Sequence, residues 1–279
     1  PDRHCNGSDR CSVPLRADRA RTAEVLVMLE IDDLSVRYGR VAVLEGIDAR
    51  FAPGTLTALI GPNGSGKSSL LRAIAGLQPH AGAVRLAGQG LTMNGRGEMI
   101  AYMPQDSAPT SSLTLMEVVL LGRLGSLALS VPGELVTAAE DALARFGLGH
   151  LAHRSLDQVS GGQRQLVFLA QALFRAPHVL LLDEPTSALD LRHQLIVLDR
   201  IRRRVRTDSV IAIAAIHDLN LAAQFADQVL CLHDGAIDGH GAPREILTRS
   251  RLERLMGIEA EIVPSESAGV RISALRAIG

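Results

Sequence analysis

The chain has 279 residues, 47% hydrophobic and 21% charged, enough apolar material for one large domain or a core with a modest insertion. Its formal net charge of -1 argues against a protein that mainly neutralises phosphate backbones, so no nucleic-acid partner is expected. Three cysteines, Cys5, Cys11 and Cys231, are an odd count that does not suit a secreted disulfide framework and suits a reducing cytosol; no second cluster completes a metal site with His4, Cys5 and Cys11.

Residues 1–27 are rich in Arg, Asp, Ser and Cys and lack both periodicity and the apolar core of a signal peptide, so a disordered leader is expected, with the natural start near Met28. Leu29, Ile31, Leu34, Val36 and Tyr38 nearly alternate, and Val43 to Phe51 reads as a second strand closed by Pro53-Gly54, which predicts an antiparallel flap. Thr55 to Ile60 is a short apolar strand that runs into Gly61-Pro62-Asn63-Gly64-Ser65-Gly66-Lys67-Ser68. Ser69 to Ala75 then has helical spacing, with Gly76 as its C-terminal cap. From about Asp106 to Gln158 the pattern is helical, with Thr137 and Glu140 as a capping box ahead of Leu143 and Phe146. The most apolar stretch, Leu113 to Leu129, is interrupted by Glu117 and Arg123, so no membrane-spanning helix is expected. Val179 to Leu182 and Val210 to Ile216 are continuous apolar runs, as strands buried on both faces of a parallel sheet require. Between them Leu191, Leu195, Leu198, Ile201 and Val205 form a helical stripe suited to a right-handed crossover, with Arg202, Arg203, Arg204 and Arg206 on its solvated face.

Three motifs carry chemistry. Gly61, Gly66, Lys67 and Ser68 satisfy the phosphate-loop spacing G-x-x-x-x-G-K-[ST] between a buried strand and a helix. There the glycines let the backbone approach phosphates, the helix start offers free N–H groups, Lys67 supplies positive charge and Ser68 can ligate magnesium. The run Val179 to Leu182 ends in Asp183 and Glu184, which a buried strand can present only at its carboxyl end. Asp183 suits magnesium and Glu184 the polarisation or orientation of an attacking water. Finally, Ser160-Gly161-Gly162-Gln163 precedes a helical run and forms a second anion clamp. Two clamps for one nucleotide are redundant unless the second serves a nucleotide bound by a partner chain.

This combination resembles the ABC ATPase family over nearly everything from Met28 to about Thr248. The resemblance implies a P-loop NTPase (RecA-like) α/β core with an antiparallel β flap and an inserted α-helical subdomain. The core would span 28–105 and 166–249, the helical subdomain 106–165, and a tail of open role 250–279. It implies that Gly61, Pro62, Asn63, Gly64, Ser65, Gly66, Lys67, Ser68 and Ser69 bind ATP, with Tyr38 stacking on adenine. Ser68, Gln105 and Asp183 would serve Mg2+; the catalytic residues would be Glu184 as the catalytic glutamate, Gln105 as the Q-loop glutamine that senses magnesium and water, and His217 as the switch histidine near the γ-phosphate. Ser160, Gly161, Gly162 and Gln163 would be the signature and Asp190 part of the D-loop Ser187-Ala188-Leu189-Asp190, all five counted among the nucleotide-binding residues. Val159 and Leu166 depart from the usual signature Leu and Arg. Ala188 to Gln194 and His217 to Ala223 resemble, more narrowly, the importer branch for iron-siderophore, haem and cobalamin uptake. A head-to-tail homodimer would then sit at the cytoplasmic face of the membrane on permease subunits, which a substrate-binding protein serves. A non-transport ABC ATPase, such as a cluster-assembly factor, is the alternative.

Overall fold

The computed structural model describes residues 27–91, 93–105, 111–123, 131–265 and 269–278, so the leader expectation lies outside the described residues apart from Val27. Strand β1 (Leu29–Tyr38) pairs antiparallel with β2 (Val41–Phe51), and β3 (Leu56–Ile60) then leads through the glycine loop into α1 (Lys67–Ala75). Gly76 ends α1 in the left-handed conformation expected of a C-terminal cap. Strands β4 (Ala81–Leu86) and β5 (Gln89–Gly90) complete a four-stranded flap ordered β2-β1-β4-β5.

Helix α2 (Met93–Met99) leads to β6 (Ile100–Met103), and the helical stretch follows as α3 (Leu115–Leu121), α4 (Gly133–Arg145) and α5 (Gly161–Phe174). The remaining strands are β7 (Val179–Asp183), β8 (Ile211–Ala215), β9 (Gln228–His233) and β10 (Ala236–Gly241), with α6 (Leu191–Asp208) and α7 (Leu219–Phe225) as crossovers. They form a six-stranded sheet ordered β10-β9-β3-β8-β7-β6, parallel except for the edge strand β10. The apolar runs are continuous because each strand feeds two cores. Leu180 and Leu182 of β7, with Ala212 and Ala214 of β8, face the helical side, while Val179, Leu181, Ile211 and Ile213 face α1 and the flap.

Two sequence expectations change. Thr137 is no cap: it lies inside α4, where its hydroxyl donates to the Gly133 carbonyl at 3.3 Å, because the helix already starts after Pro132, whose fixed φ suits a helix entry. A capping box instead opens α3, where Thr114 Oγ1 accepts from the Glu117 amide at 3.2 Å and Glu117 Oε2 accepts from the Thr114 amide at 2.7 Å. In α6 the buried stripe is Val197, Leu198, Ile201 and Val205, whereas Leu191 is 65% exposed and Leu195 36% exposed, since only the later turns of the helix pack on the core.

After β10 comes α8 (Pro243–Ile246), and the tail follows as α9 (Arg249–Met256) and a hairpin of β11 (Ile258–Ser265) and β12 (Gly269–Ala277). Asn220 on α7 secures it by acting as a short strand edge: its Nδ2 donates to the Ile272 carbonyl at 2.9 Å and its Oδ1 accepts the Ile272 amide at 2.8 Å. Ala260, Val270 and Ile272 are buried against the helical-side core. Asn220→Ala leaves a half-buried backbone pair without partners, so a loss of about 1–3 kcal/mol is expected. Faster amide exchange in the hairpin than in β7 would be the signature. Unchanged exchange at Ile272 would show that the apolar contacts alone hold the tail.

Candidate nucleotide-hydrolysis site

The parallel register brings the motifs to one edge. Leu59 of β3 and Asp183 of β7 both lie level with Ala215 of β8, and Met103 of β6 lies level with Leu182. Two residues beyond those levels come Gly61, His217 and Gln105, at the carboxyl ends of adjacent strands where ligands of parallel sheets gather. A cavity of about 540 Å³ opens there, lined by Tyr38, Val43, Asn63, Gly64, Gly66, Lys67, Ser68, Ser69, Gln105, Glu184 and His217. A larger cleft of about 620 Å³ between α4, α5 and α6 holds several arginines, but none of the loop, carboxylate or switch residues reaches it.

The loop curls tightly because its glycines permit it. At Gly61 a Cβ would lie 2.2 Å from the Leu232 carbonyl oxygen, and at Gly66, with φ of 99°, it would lie 2.6 Å from Leu44 Cδ2. Lys67 turns its ammonium back into this curl, donating to the Gly61 and Pro62 carbonyls at 2.9 Å each. Burial pulls its pKa below the ordinary lysine value, while the carboxylates of Glu184 and Asp183 push it up. Among the described residues the Ser65 hydroxyl is buried without a hydrogen-bond partner, a polar atom left for an oxygen-rich guest.

Asp183 is 1% exposed. One oxygen accepts from Ser68 Oγ at 3.0 Å, and the other accepts from the Tyr102 hydroxyl at 3.2 Å. Tyr102 accepts in turn from Arg72 Nε at 3.3 Å, and that bond raises the Arg72 pKa while burial raises that of Tyr102. Oxygen donors from a serine and one carboxylate suit Mg2+, which takes few protein ligands and completes its shell with water and substrate phosphate.

Glu184 adopts a left-handed backbone at φ of 52°, a conformation that costs a non-glycine residue about 1–3 kcal/mol. Its carboxylate accepts from Gln105 Nε2 at 2.7 Å and is hydrogen-bonded to His217 Nε2. Three expected residues from three strand ends thus meet at one carboxylate. Tyr38, 45% exposed at the rim, touches Ser69 Oγ at 3.4 Å through its hydroxyl. Its open face is available to an aromatic ring.

The remaining expected residues stand apart. Ser160 caps α5, accepting the Gln163 amide at 3.2 Å, and Gln163 Oε1 accepts the Ser160 amide at 3.0 Å. The amides of Gly161 and Gly162 open the helix without intrahelical acceptors. Asp190 caps α6, where the His193 amide and ring hold its carboxylate below the usual range. None of Ser160, Gly161, Gly162, Gln163 or Asp190 lines the cavity. Tyr102 and Arg72 are the site residues that sequence reasoning missed; Tyr102 lies beside Leu181 of β7, a register that the sequence does not display.

A family model described as ABC transporter matches residues 44–187, more than half the chain. The chain belongs to the ABC transporter family. It carries the ATP-binding domain of that family, and the match takes in the loop, Gln105, the Ser160 clamp, Asp183 and Glu184. A cobalamin import ATP-binding protein of Halobacterium salinarum is 38% identical over 79% of this chain and 56% of its own length. A hemin import ATP-binding protein of Mesorhizobium japonicum is 35% identical over 82% of this chain and 90% of its own. The chain thus spans just over half of the halobacterial relative and most of the rhizobial one. A solved ABC transporter structure in an inward-facing conformation, described as of metal-chelate type, is 26% identical with a TM-score of 0.77, over 90% of this chain and 98% of that one.

Proposed function

We propose that this chain is the ATP-hydrolysing motor of an ABC importer for ferric siderophore, haem or cobalamin. The observation that carries hydrolysis is the meeting of Gln105 and His217 on the Glu184 carboxylate beside the glycine loop. ATP would lie along Gly61 to Ser69 with Lys67 on its terminal phosphates and adenine against Tyr38. Ser68 and Asp183, with Gln105 at the margin, would hold Mg2+, which neutralises developing phosphate charge when bound. Gln105 and His217 fix the Glu184 carboxylate where it can take a proton from, or orient, the attacking water. The Arg72–Tyr102 pair holds the Asp183 carboxylate from behind.

The clamp of Ser160, Gly161, Gly162 and Gln163 lies outside this cavity, which supports a role on the nucleotide of a second copy in a head-to-tail homodimer, with Asp190 near the interface. The γ-phosphate then favours the closed dimer because only that state offers it both clamps, and hydrolysis releases it. The helical stretch 106–165 is proposed as the surface that docks permease subunits, with 28–105 and 166–249 as core and 250–279 as tail. Among the described residues no helix is long and apolar enough to cross a membrane. Attachment at the cytoplasmic face is therefore proposed to run through the permease, with a substrate-binding protein acting only through it.

The names of the relatives and the resemblance around Ala188 to Gln194 and His217 to Ala223 support this range of cargo. These relatives do not favour the cluster-assembly alternative. Vesicles holding the chain and its co-purifying permease should show ATP-dependent uptake of ferric siderophore, haem or cobalamin. Uptake of none of the three would remove the importer branch and leave ATP hydrolysis standing.

A further inference from the structure

We propose that Gln165 is a positioning residue that holds the backbone of Glu184 in its catalytic conformation and ties it to the helix carrying the Ser160 clamp. Gln165 lies one turn into α5 and is only 5% exposed, an unusual place for an amide side chain. Both ends of that amide are used. Its Nε2 donates to the Glu184 carbonyl at 2.8 Å, and its Oε1 accepts the Ala188 amide at 3.3 Å. The two bonds bracket the turn from Glu184 to Ala188, which also receives the Ser187 hydroxyl on the Glu184 carbonyl at 3.1 Å.

The turn requires such support, because Glu184 sits at φ of 52° without being glycine. A strained residue keeps its conformation only where its surroundings over-determine it; here the buried Gln165 amide grips both ends of the turn, while Gln194 Nε2 donates to the Thr186 carbonyl in its middle at 3.1 Å. A second contact joins the same pieces: Gly162 packs so closely on the turn that a Cβ there would stand 3.2 Å from the Ala188 carbonyl oxygen. The clamp end of α5 therefore rests against the turn at Gly162, and three residues later the same helix grips it through Gln165. An anion engaging the clamp acts on a helix rigidly linked to the Glu184 backbone, so occupancy at the dimer interface and aim of the carboxylate become one mechanical unit.

The inference rests on the reading of Glu184 as the catalytic carboxylate. It is tested with Gln165→Met in the full chain, which keeps volume while removing both bonds. The expected result is a kcat lowered about tenfold or more with ATP affinity within about threefold of wild type, and no further drop when Gln165→Met is added to Glu184→Gln. A merely structural role would lower ATP affinity and melting temperature together and act equally in both backgrounds. Wild-type kcat in Gln165→Met, or equal losses in both backgrounds, overturns the inference. Normal turnover in Glu184→Gln alone would instead overturn the reading of Glu184, so the two failures are distinguishable. Should Gln165→Met fail to fold, Gln165→Glu at pH 8 keeps volume and the acceptor for Ala188 while losing the donor to Glu184, and is read against the same criteria.

Discussion

Glu184→Gln is expected to bind ATP as the wild type does, to hydrolyse it about 100-fold more slowly or worse, and to accumulate as an ATP-bound dimer. The carboxylate has two partners. Gln105 Nε2 donates to one oxygen at 2.7 Å, and His217 Nε2 meets the other. A glutamine in this place keeps the first bond through its carbonyl oxygen. Its new amide donates to His217 once the imidazole shifts its proton to Nδ1, a tautomer change open to a neutral ring. Little in the local structure moves, so the loop and its affinity for nucleotide are preserved. What disappears is an oxygen able to take a proton, a contribution worth about 100- to 10,000-fold in general-base catalysis. Because hydrolysis is what releases the closed state, slowing it lengthens the life of the dimer. Steady-state phosphate release and light scattering with ATP are the measurements. Normal turnover would remove Glu184 from its role, and slow turnover without a dimer would remove the partner-chain reading of the Ser160 clamp.

Much of this site was legible because its parts are local in sequence. A strand, a glycine loop and a helix can be read in one window, and four apolar residues ending in Asp183 and Glu184 can be read in another. The adjacency of β3, β8, β7 and β6 cannot be read so directly, yet it is the register of those strands that sets Gln105 level with Glu184. Tyr102 escaped notice for the same reason: its partners Arg72 and Asp183 lie 30 and 81 positions away, and an aromatic in an otherwise buried strand reads first as packing. Gln165 was hidden by its helix, where an amide one turn past the cap looks like a solvent-facing residue. The misplaced cap at Thr137 has a different origin. The pattern of a threonine three residues before a glutamate recurs by chance, and here Pro132 set the helix start a turn earlier, leaving Thr137 to bond back to Gly133. The exposure of Leu191 and Leu195 was equally unreadable from periodicity, which gives the direction of a stripe but not how far the neighbouring core extends along it.

Replacing Lys67 by Met is expected to separate function from stability. The ammonium is largely enclosed and donates to the Gly61 and Pro62 carbonyls, both at 2.9 Å. Its pKa nevertheless lies below the ordinary lysine value, with burial as the largest cause and Glu184 and Asp183 opposing it. For a cation that direction has a definite sign: charging Lys67 is harder in the folded chain than in the unfolded one. Below the depressed folded pKa the charge therefore weakens the fold, and the deficit is relieved as pH rises from that pKa to the ordinary one. Methionine keeps most of the volume without the charge, so at neutral pH the melting temperature should stay level or rise. The two loop carbonyls lose their donor, which limits the gain. Nucleotide binding should collapse, because two charge-assisted hydrogen bonds to phosphate, at about 1.5–3 kcal/mol each, correspond to about 100-fold or more in affinity. A titration with fluorescent ATP beside a thermal melt reads both quantities on one sample. Retained affinity would mean that the loop amides alone hold the phosphates. A strongly lowered melting temperature would mean that the Lys67 bonds to the loop outweigh the burial of its charge, and that the empty loop needs its lysine to fold.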